Sequence, residues 1–276
     1  MHPPLLRNNI SNFLNFGLTI NKKIPMKKIM VTIVLLFAIA STNAQTYLKY
    51  EFMKVLPGQD YEKLEQSWIN YHKELIKAGA INLHRVWKVL PGNNVDFDYI
   101  VTTGYSSYAD ALGLGKTIST DEFKAKYPED YKVMASTTLS TRTMVMSLIL
   151  ELDLGISDPA LEVVPGKSIL NMIFVKSKND KYMDAETKFS KKWHQYMIDK
   201  KAKDAFYFSH VVGSRGIDVD ISNVISHLHK NIDQFTTPFK NDLKMTTQEQ
   251  AEYNQLLTYR NLTKSMMLLN VMNIQN

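Results

Sequence analysis

The stretch at residues 61–78, YEKLEQSWINYHKELIKA, decides how the rest of the chain is read. At 100° per residue, Tyr61, Leu64, Trp68, Tyr71, His72, Leu75 and Ile76 share a sector of roughly 140°, while Lys63, Gln66, Asn70, Lys73, Glu74 and Lys77 point away. Gly79 supplies a stop signal. The spacing therefore predicts an amphipathic helix laid on a sheet. Glu65 and His72 fall on its apolar face, an unusual place for groups that carry charge.

A second version of this helix occurs at 182–197, YMDAETKFSKKWHQYM. Tyr182, Ala185, Phe189, Trp193, Tyr196 and Met197 repeat the stripe, with Glu186 where Glu65 stood. Tyr61 matches Tyr182, Trp68 matches Phe189, and His72 falls on Trp193 at an offset of 121. Beyond the helix the offset becomes 122 and holds. VWKVL at 86–90 matches FSHVV at 208–212, DFD at 96–98 matches DVD at 218–220, and TRTMVM at 141–146 matches TKSMML at 263–268. A period this long means two duplicated units, not a solenoid of short repeats.

Residues 47–55 alternate as a strand, turned by Pro57-Gly58. Strands at 83–90 and 97–105 flank the Pro91–Asn94 turn, the latter placing Phe97, Tyr99, Val101, Thr103 and Tyr105 on one face. A short helix at 107–114, a polar helical segment at 122–140 broken by Pro128, and an apolar strand at 144–154 complete the first unit, 46–154. Residues 155–166 read as a linker. The second unit, 167–276, has expected strands at 169–175, 205–212, 219–227 and 266–274 and helices at 182–200, 231–243 and 248–261. The order β-α-β-β-α-β is a split βαβ unit. Such a sheet carries helices on one face and needs cover on the other. The expectation is an α+β protein in which two tandem ferredoxin-like units press their open faces together as a pseudo-dimeric barrel.

Ahead of the repeats, residues 26–44 have the basic start (Lys27, Lys28), the 12-residue apolar run and the small residues (Thr42, Ala44) of a secretory signal. Twelve residues are too few to span a bilayer about 30 Å thick. Residues 1–25 read as an upstream extension, with Met26 an alternative start. The expected location is the periplasm or the exterior. Residues 1–44 hold five basic residues and no acidic ones, which leaves 28 basic and 27 acidic residues in the mature chain. Its near-neutral balance gives no support to a nucleic-acid surface. No membrane span is expected in it, and a homo-oligomer is compatible with it. The absence of cysteine excludes disulfides, thiolate metal sites and cysteine nucleophiles.

The tandem units, the Glu-x-x-Trp-x-x-x-His helix (Glu65, Trp68, His72), the Pro91-Gly92 turn and the Asp96-x-Asp98-Tyr99 strand resemble the dimeric α/β-barrel superfamily, the antibiotic-monooxygenase-like proteins. More narrowly, they resemble exported members from Bacteroidetes-type bacteria. The resemblance covers roughly 46–276 and implies a fold, not one activity. The superfamily includes haem-degrading and quinol-type monooxygenases, haem-dependent chlorite dismutase and peroxidase relatives, and pure binding proteins. Haem is the cofactor it brings into question. The Asn, Trp and His set of the small haem degraders has no counterpart here in the right element order.

Among candidate site residues, Glu65 and Glu186 come first, because a carboxylate on an apolar face loses hydration unless it is paired. Either each is bonded to a Tyr or Arg of the sheet, or it belongs to a site. His72, with Glu65 and Trp87, is either an acid–base or haem-facing cluster or a satisfied core histidine. Trp68, Tyr99 and Trp193 complete the candidate ligand-binding set. His210, His227 and His229 form a weaker candidate metal set, with His194 near the edge of its helix stripe. Gly115-Lys116-Thr117 fails as a phosphate loop, since Asp110 stands where a glycine is required. Three readings follow: a protein binding a small, mostly apolar ligand in an aromatic cavity between helix and sheet; an oxidoreductase using the same pocket; and an interaction protein with a solid core that assembles through its sheet edges.

Overall fold

Alternating apolar residues over Tyr47–Val55 build β1, and the chain then enters helix α1, Tyr61–Lys77. Asp60 caps the helix by accepting from the Lys63 amide at 3.0 Å. Gly79 closes it at φ 67°, a conformation that costs glycine nothing. Strands β2, Leu83–Val89, and β3, Tyr99–Tyr105, follow, then the short helix α2, Tyr108–Ala111. The polar segment forms two helices, α3 at Thr120–Lys126 and α4 at Pro128–Thr141, with Pro128 opening the second, where its missing N–H costs nothing. Strand β4, Arg142–Ser157, ends the first unit. The second unit runs β5 Ile169–Ser177, α5 Lys181–Asp199, β6 Ala205–Gly216, β7 Asn223–His229, α6 Ile232–Thr236, α7 Thr247–Thr258 and β8 Arg260–Gln275.

The structure, a computed structural model, describes residues 46–216, 220–240 and 242–275. The expected extension at 1–25 and signal at 26–44 lie outside the described residues, as does Asp218 of the second Asp-x-Asp pattern. Two expectations are corrected within them. The helix expected at 231–243 ends at Thr236, because Pro238 disfavours helical backbone at the residue before it. Strands β4, β6 and β8 extend beyond their expected ends, so residues 155–157 of the expected linker still pair with β6.

Among the described residues, eight strands run antiparallel and close a barrel in the order β1-β3-β2-β8-β5-β7-β6-β4. Within it each unit keeps the same arrangement, β4-β1-β3-β2 and β8-β5-β7-β6. The open faces are thus not stacked as separate sheets. The units join at their edges, β2 to β8 from Leu83↔Gln275 to Val89↔Leu268, and β4 to β6 from Met146↔Gly216 to Ser157↔Ala205. Closure pairs every edge that stacking would leave bare. It removes the expected route to assembly through sheet edges.

The inward faces meet in one apolar core that includes Tyr50, Phe52, Trp87, Ile100, Leu148, Met172 and Phe174. Phe97 leaves the expected strand face and joins this core, its ring edge-on to Phe52 at 4.9 Å. Outside, α1 covers Met53, Val86, Tyr99 and Val101, and α5 with α7 covers Val175, Phe206, Phe208 and Ile225. Phe52 is fully buried at the centre of the inner core. Phe52→Ala is expected to cost about 3–5 kcal/mol in urea unfolding. A loss below 1 kcal/mol would show that the barrel is not packed as described.

Candidate functional site

Helix α1 lays Tyr61, Leu64 and Glu65 against the outer face of its sheet, and Glu65 is 4% exposed. From β2, His84 rises to meet it, with His84 Nε2 3.7 Å from Glu65 Oε2. His72, two turns on from Glu65, stacks on His84 with ring centroids 3.5 Å apart and planes 14° apart. Thr103 Oγ1 stands 3.5 Å from His84 Nδ1. His72 Nδ1, His84 Nε2 and Trp68 Nε1 are buried without a hydrogen-bond partner. Burial, then the neighbouring His84 and Arg142, hold the His72 pKa well below its ordinary value, so this imidazole is neutral. Burial and the adjacent Glu65 push the Tyr61 phenol up. One ligand atom each from Glu65, His72 and His84 lie within 4.8 Å of one another.

The second unit treats the matching carboxylate differently. Glu186 accepts from Arg260 at 2.7 Å and from Ser190 Oγ at 2.6 Å. Arg260 also reaches the Tyr182 hydroxyl at 3.3 Å. Glu186 is therefore the satisfied carboxylate of the sequence alternatives, bonded to an Arg of the sheet. Arg142 occupies the corresponding barrel position, pairing with Val55 as Arg260 pairs with Ser177. Its guanidinium goes instead to Met53 Sδ, 3.1 Å away. The two copies of one carboxylate have different surroundings.

A cavity of about 150 Å³ opens inside the barrel, at the end where β1 begins and β7 ends. Trp87, Tyr50 and Tyr207 form aromatic walls, and Leu48, Leu170 and Leu228 add apolar ones. Arg85 points into it, donating from Nε to Asn273 Oδ1 at 3.0 Å and from a terminal nitrogen to Gln275 Oε1 at 2.7 Å. Burial lowers the Arg85 pKa and raises those of Tyr207 and of Tyr50, the latter to about 12. A larger depression of about 780 Å³ beside Tyr61, Glu62 and Lys88 is an open surface groove.

The cluster of Glu65, His72 and Trp87 does not form. Trp87 follows Val86 on β2 and faces the barrel interior, whereas Glu65 and His72 lie on the outer face of the same sheet. His84, two residues from Val86 on the outer face, takes the place given to Trp87. Trp68 borders the site, its ring 5.8 Å from His72. Tyr99 donates to Glu62 at 2.9 Å, away from Glu65. Trp193 stacks on Phe189 at the surface of the second unit. The histidine stacked over the strand there is His194, on Phe206, so His194 and not Trp193 takes the place of His72 against the sheet. The three-histidine set does not converge: His210 bonds Asp153 at 2.9 Å, His227 faces Lys203 and His229 lies against Phe235.

Haem is the cofactor that the superfamily resemblance brings into question. It needs a deep slot beside an imidazole, on the order of several hundred Å³. His72 and His84 fill the helix–sheet space with their own stack, His194 is stacked on Phe206 at 3.7 Å, and no histidine lines the 150 Å³ cavity. The described residues do not fit haem.

Lys203, which sequence reasoning missed, is 2% exposed and donates to Nδ1 of His194 at 3.0 Å and of His227 at 2.6 Å. Burial lowers its pKa to about 7. The flanking imidazoles are held neutral by burial first and by the Lys203 charge next, His194 at about 2, His229 at about 4 and His227 well below its ordinary value. An unfolded lysine keeps its proton to roughly pH 10.4. Between pH 7 and 10 the unfolded chain therefore binds a proton that the folded chain has released, and stability rises with pH. Lys203→Met is expected to flatten this rise in melting temperature measured from pH 6.5 to 9.5. An unchanged slope would show that the amine is hydrated.

No family model and no curated protein matches the chain. Solved structures do. A protein of Fusobacterium nucleatum provisionally described as a monooxygenase is 8% identical, covers 85% of this chain and 96% of its own, and superposes with a TM-score of 0.56. An anthrone oxidase-like protein is 10% identical over 85% of this chain and 94% of its own, at 0.51. A provisional chlorite dismutase gives 0.49 at 12% identity, over 83% and 96%. At such identity the likeness to the first two concerns the fold alone: the chain is similar to dimeric α/β-barrel proteins of the monooxygenase-like type, with both ferredoxin-like halves in one polypeptide.

Proposed function

We propose that the chain is exported and that its barrel binds a small, mostly apolar molecule bearing an anionic group. The observation that carries the proposal is Arg85. A guanidinium is aimed into an aromatic cavity, and its two hydrogen bonds go to neutral amide oxygens. Among the described residues no carboxylate pairs with it. Holding such a charge half-buried costs free energy that an anionic ligand recovers through charge-assisted hydrogen bonds. The apolar walls take the body of the ligand, and a cavity of about 150 Å³ limits it to the size of a single aromatic ring. The pocket lies inside the barrel, not between helix and sheet. Export rests on the charged and apolar pattern of 26–44. Among the described residues no helix is long and apolar enough to cross a membrane.

A second reading, an oxidoreductase, accords with the oxidase and monooxygenase descriptions of the fold relatives. It is favoured by Glu65, a buried carboxylate beside two imidazoles and able to act as a proton acceptor. It requires oxygen uptake on addition of anthrone, abolished in Glu65→Gln.

Titration calorimetry with benzoate and benzamide tests the binding proposal. Benzoate is expected to bind the full-length protein more tightly than its neutral isostere. Arg85→Met is expected to weaken benzoate by roughly 10- to 100-fold, the worth of a charged hydrogen bond, and to leave benzamide nearly unchanged. Equal affinities for the two ligands, or an Arg85→Met variant that binds benzoate as before, would sink it.

A further inference from the structure

We infer that Glu65, His72 and His84 form a binding site for one first-row transition-metal ion, independent of the Arg85 cavity. The chemistry of the donors sets the class. Two imidazoles and one carboxylate suit zinc, iron(II), cobalt(II) or nickel(II), whereas calcium and magnesium demand a cage of oxygens. The chain has no cysteine to soften the set.

Three observations point to this site. The first is proximity: the three ligand atoms lie within 4.8 Å of one another, and ligands on one ion stand roughly 3.4 Å apart when bonds are about 2.1 Å. Small side-chain rotations close that gap, and in doing so they fan the two rings out of their 14° stack. The second is demand: His72 Nδ1 and His84 Nε2 are buried with no hydrogen-bond partner, so each holds a donor or acceptor that nothing else uses. Thr103 Oγ1 faces the other nitrogen of His84, as a group orienting a metal-bound imidazole does. The third is the internal comparison. The second unit gives its matching carboxylate a cation, Arg260 at 2.7 Å, and places Phe206 where His84 stands. In the first unit the Arg142 guanidinium bonds Met53 Sδ and acts on His72 and Tyr61 through its charge, with no ion pair to Glu65, and the carboxylate meets imidazoles instead. Where one copy supplies a guanidinium, the other supplies metal ligands.

Three protein ligands leave coordination positions for water or a small molecule, as in catalytic rather than closed structural sites. Trp68 Nε1, unpartnered and stacked near His72, is placed to donate to a group held there.

The test uses the full-length chain, stripped with chelator and titrated with cobalt(II), read by visible absorption and by metal content after gel filtration. One equivalent with a visible d–d band is expected. His84→Phe copies the residue the second unit carries, so its folding is compatible with this architecture. It is expected to keep its circular dichroism and to lose both the band and the bound equivalent. Glu186→Gln serves as control and is expected to retain both. Absence of bound cobalt in the folded wild type, or an equivalent that survives in His84→Phe, would overturn the proposal. The second outcome would mark binding as adventitious.

Discussion

Two hydrogen-bonded seams hold this architecture, β2 against β8 and β4 against β6. A four-stranded sheet on its own ends in two strands whose outward N–H and C=O groups are unpaired, and such edges attract any other strand. Each seam joins an edge of one repeat to an edge of the other. Neither repeat can complete its backbone hydrogen bonding alone, so the duplicated units are halves of one barrel. Both seams carry register shifts, at Val86/Trp87 on one side and at Ile149/Leu150 and Leu152/Leu154 on the other. Bulges bend a strand and sharpen its twist, which closure requires.

Closure also divides the chemistry. Along a strand, successive side chains point to opposite faces. On β2, Arg85 and Trp87 therefore enter the barrel, while His84 and Val86 meet α1. One seven-residue strand lines an arginine-bearing cavity on one side and a carboxylate–imidazole cluster on the other. The sheet keeps these sites apart, and a residue's place in the alternation decides which of them it joins. Trp87 and His84 lie three positions apart, and that odd spacing puts them on opposite faces.

The alternation also explains how much was legible. Helix α1 carries a strong 3.6-residue period and a cap, and its copy at α5 repeats the period without a side-chain cap at Asp180, so the duplication, the element order and the superfamily resemblance could all be read from the residues. Glu65, His72 and Trp68 could be placed together because one helix face joins them. Trp87 was misplaced because the face of a strand is set by register against its neighbours, which no local pattern records. His84 had a usable signal: it shares alternation with Val86, whose counterpart Phe208 lies on the covered face, and its own counterpart is Phe206. Arg142, Arg260 and Lys203 carried none, since each sits at an element boundary and acts across the fold. Arg142 and Arg260 are related through the strand pairing, 118 residues apart, and β4 and β8 keep that offset from Met146 with Lys264 to Leu150 with Leu268, so the expected match of 141–146 with 263–268 at 122 is corrected: similar residues there occupy different barrel positions. The short α6 shows the opposite error, a helical pattern carried past Pro238.

The asymmetry between the copies limits what Glu186 and Glu65 can each be for. A buried carboxylate paired with a buried guanidinium about breaks even against apolar residues of the same shape. Glu186 with Arg260, Ser190 and Tyr182 is such a bonded set, with only Arg260 Nε left unpartnered within it, and it ties α5 to the start of β8. Glu65 has lost that guanidinium partner but remains 4% exposed. A fold that needed only the tie would be served by keeping Arg142 on Glu65 or by replacing the carboxylate with an apolar side chain. Neither is found: the carboxylate stays, the guanidinium lies nearby on Met53 Sδ without pairing with it, and two imidazoles with unpartnered nitrogens stand beside it. Stability alone does not account for retaining Glu65 under these conditions. The proposed metal site is a role that the first unit would have and the second would not, and it would put the distinctive chemistry of the helix–sheet interface in the first half of the barrel.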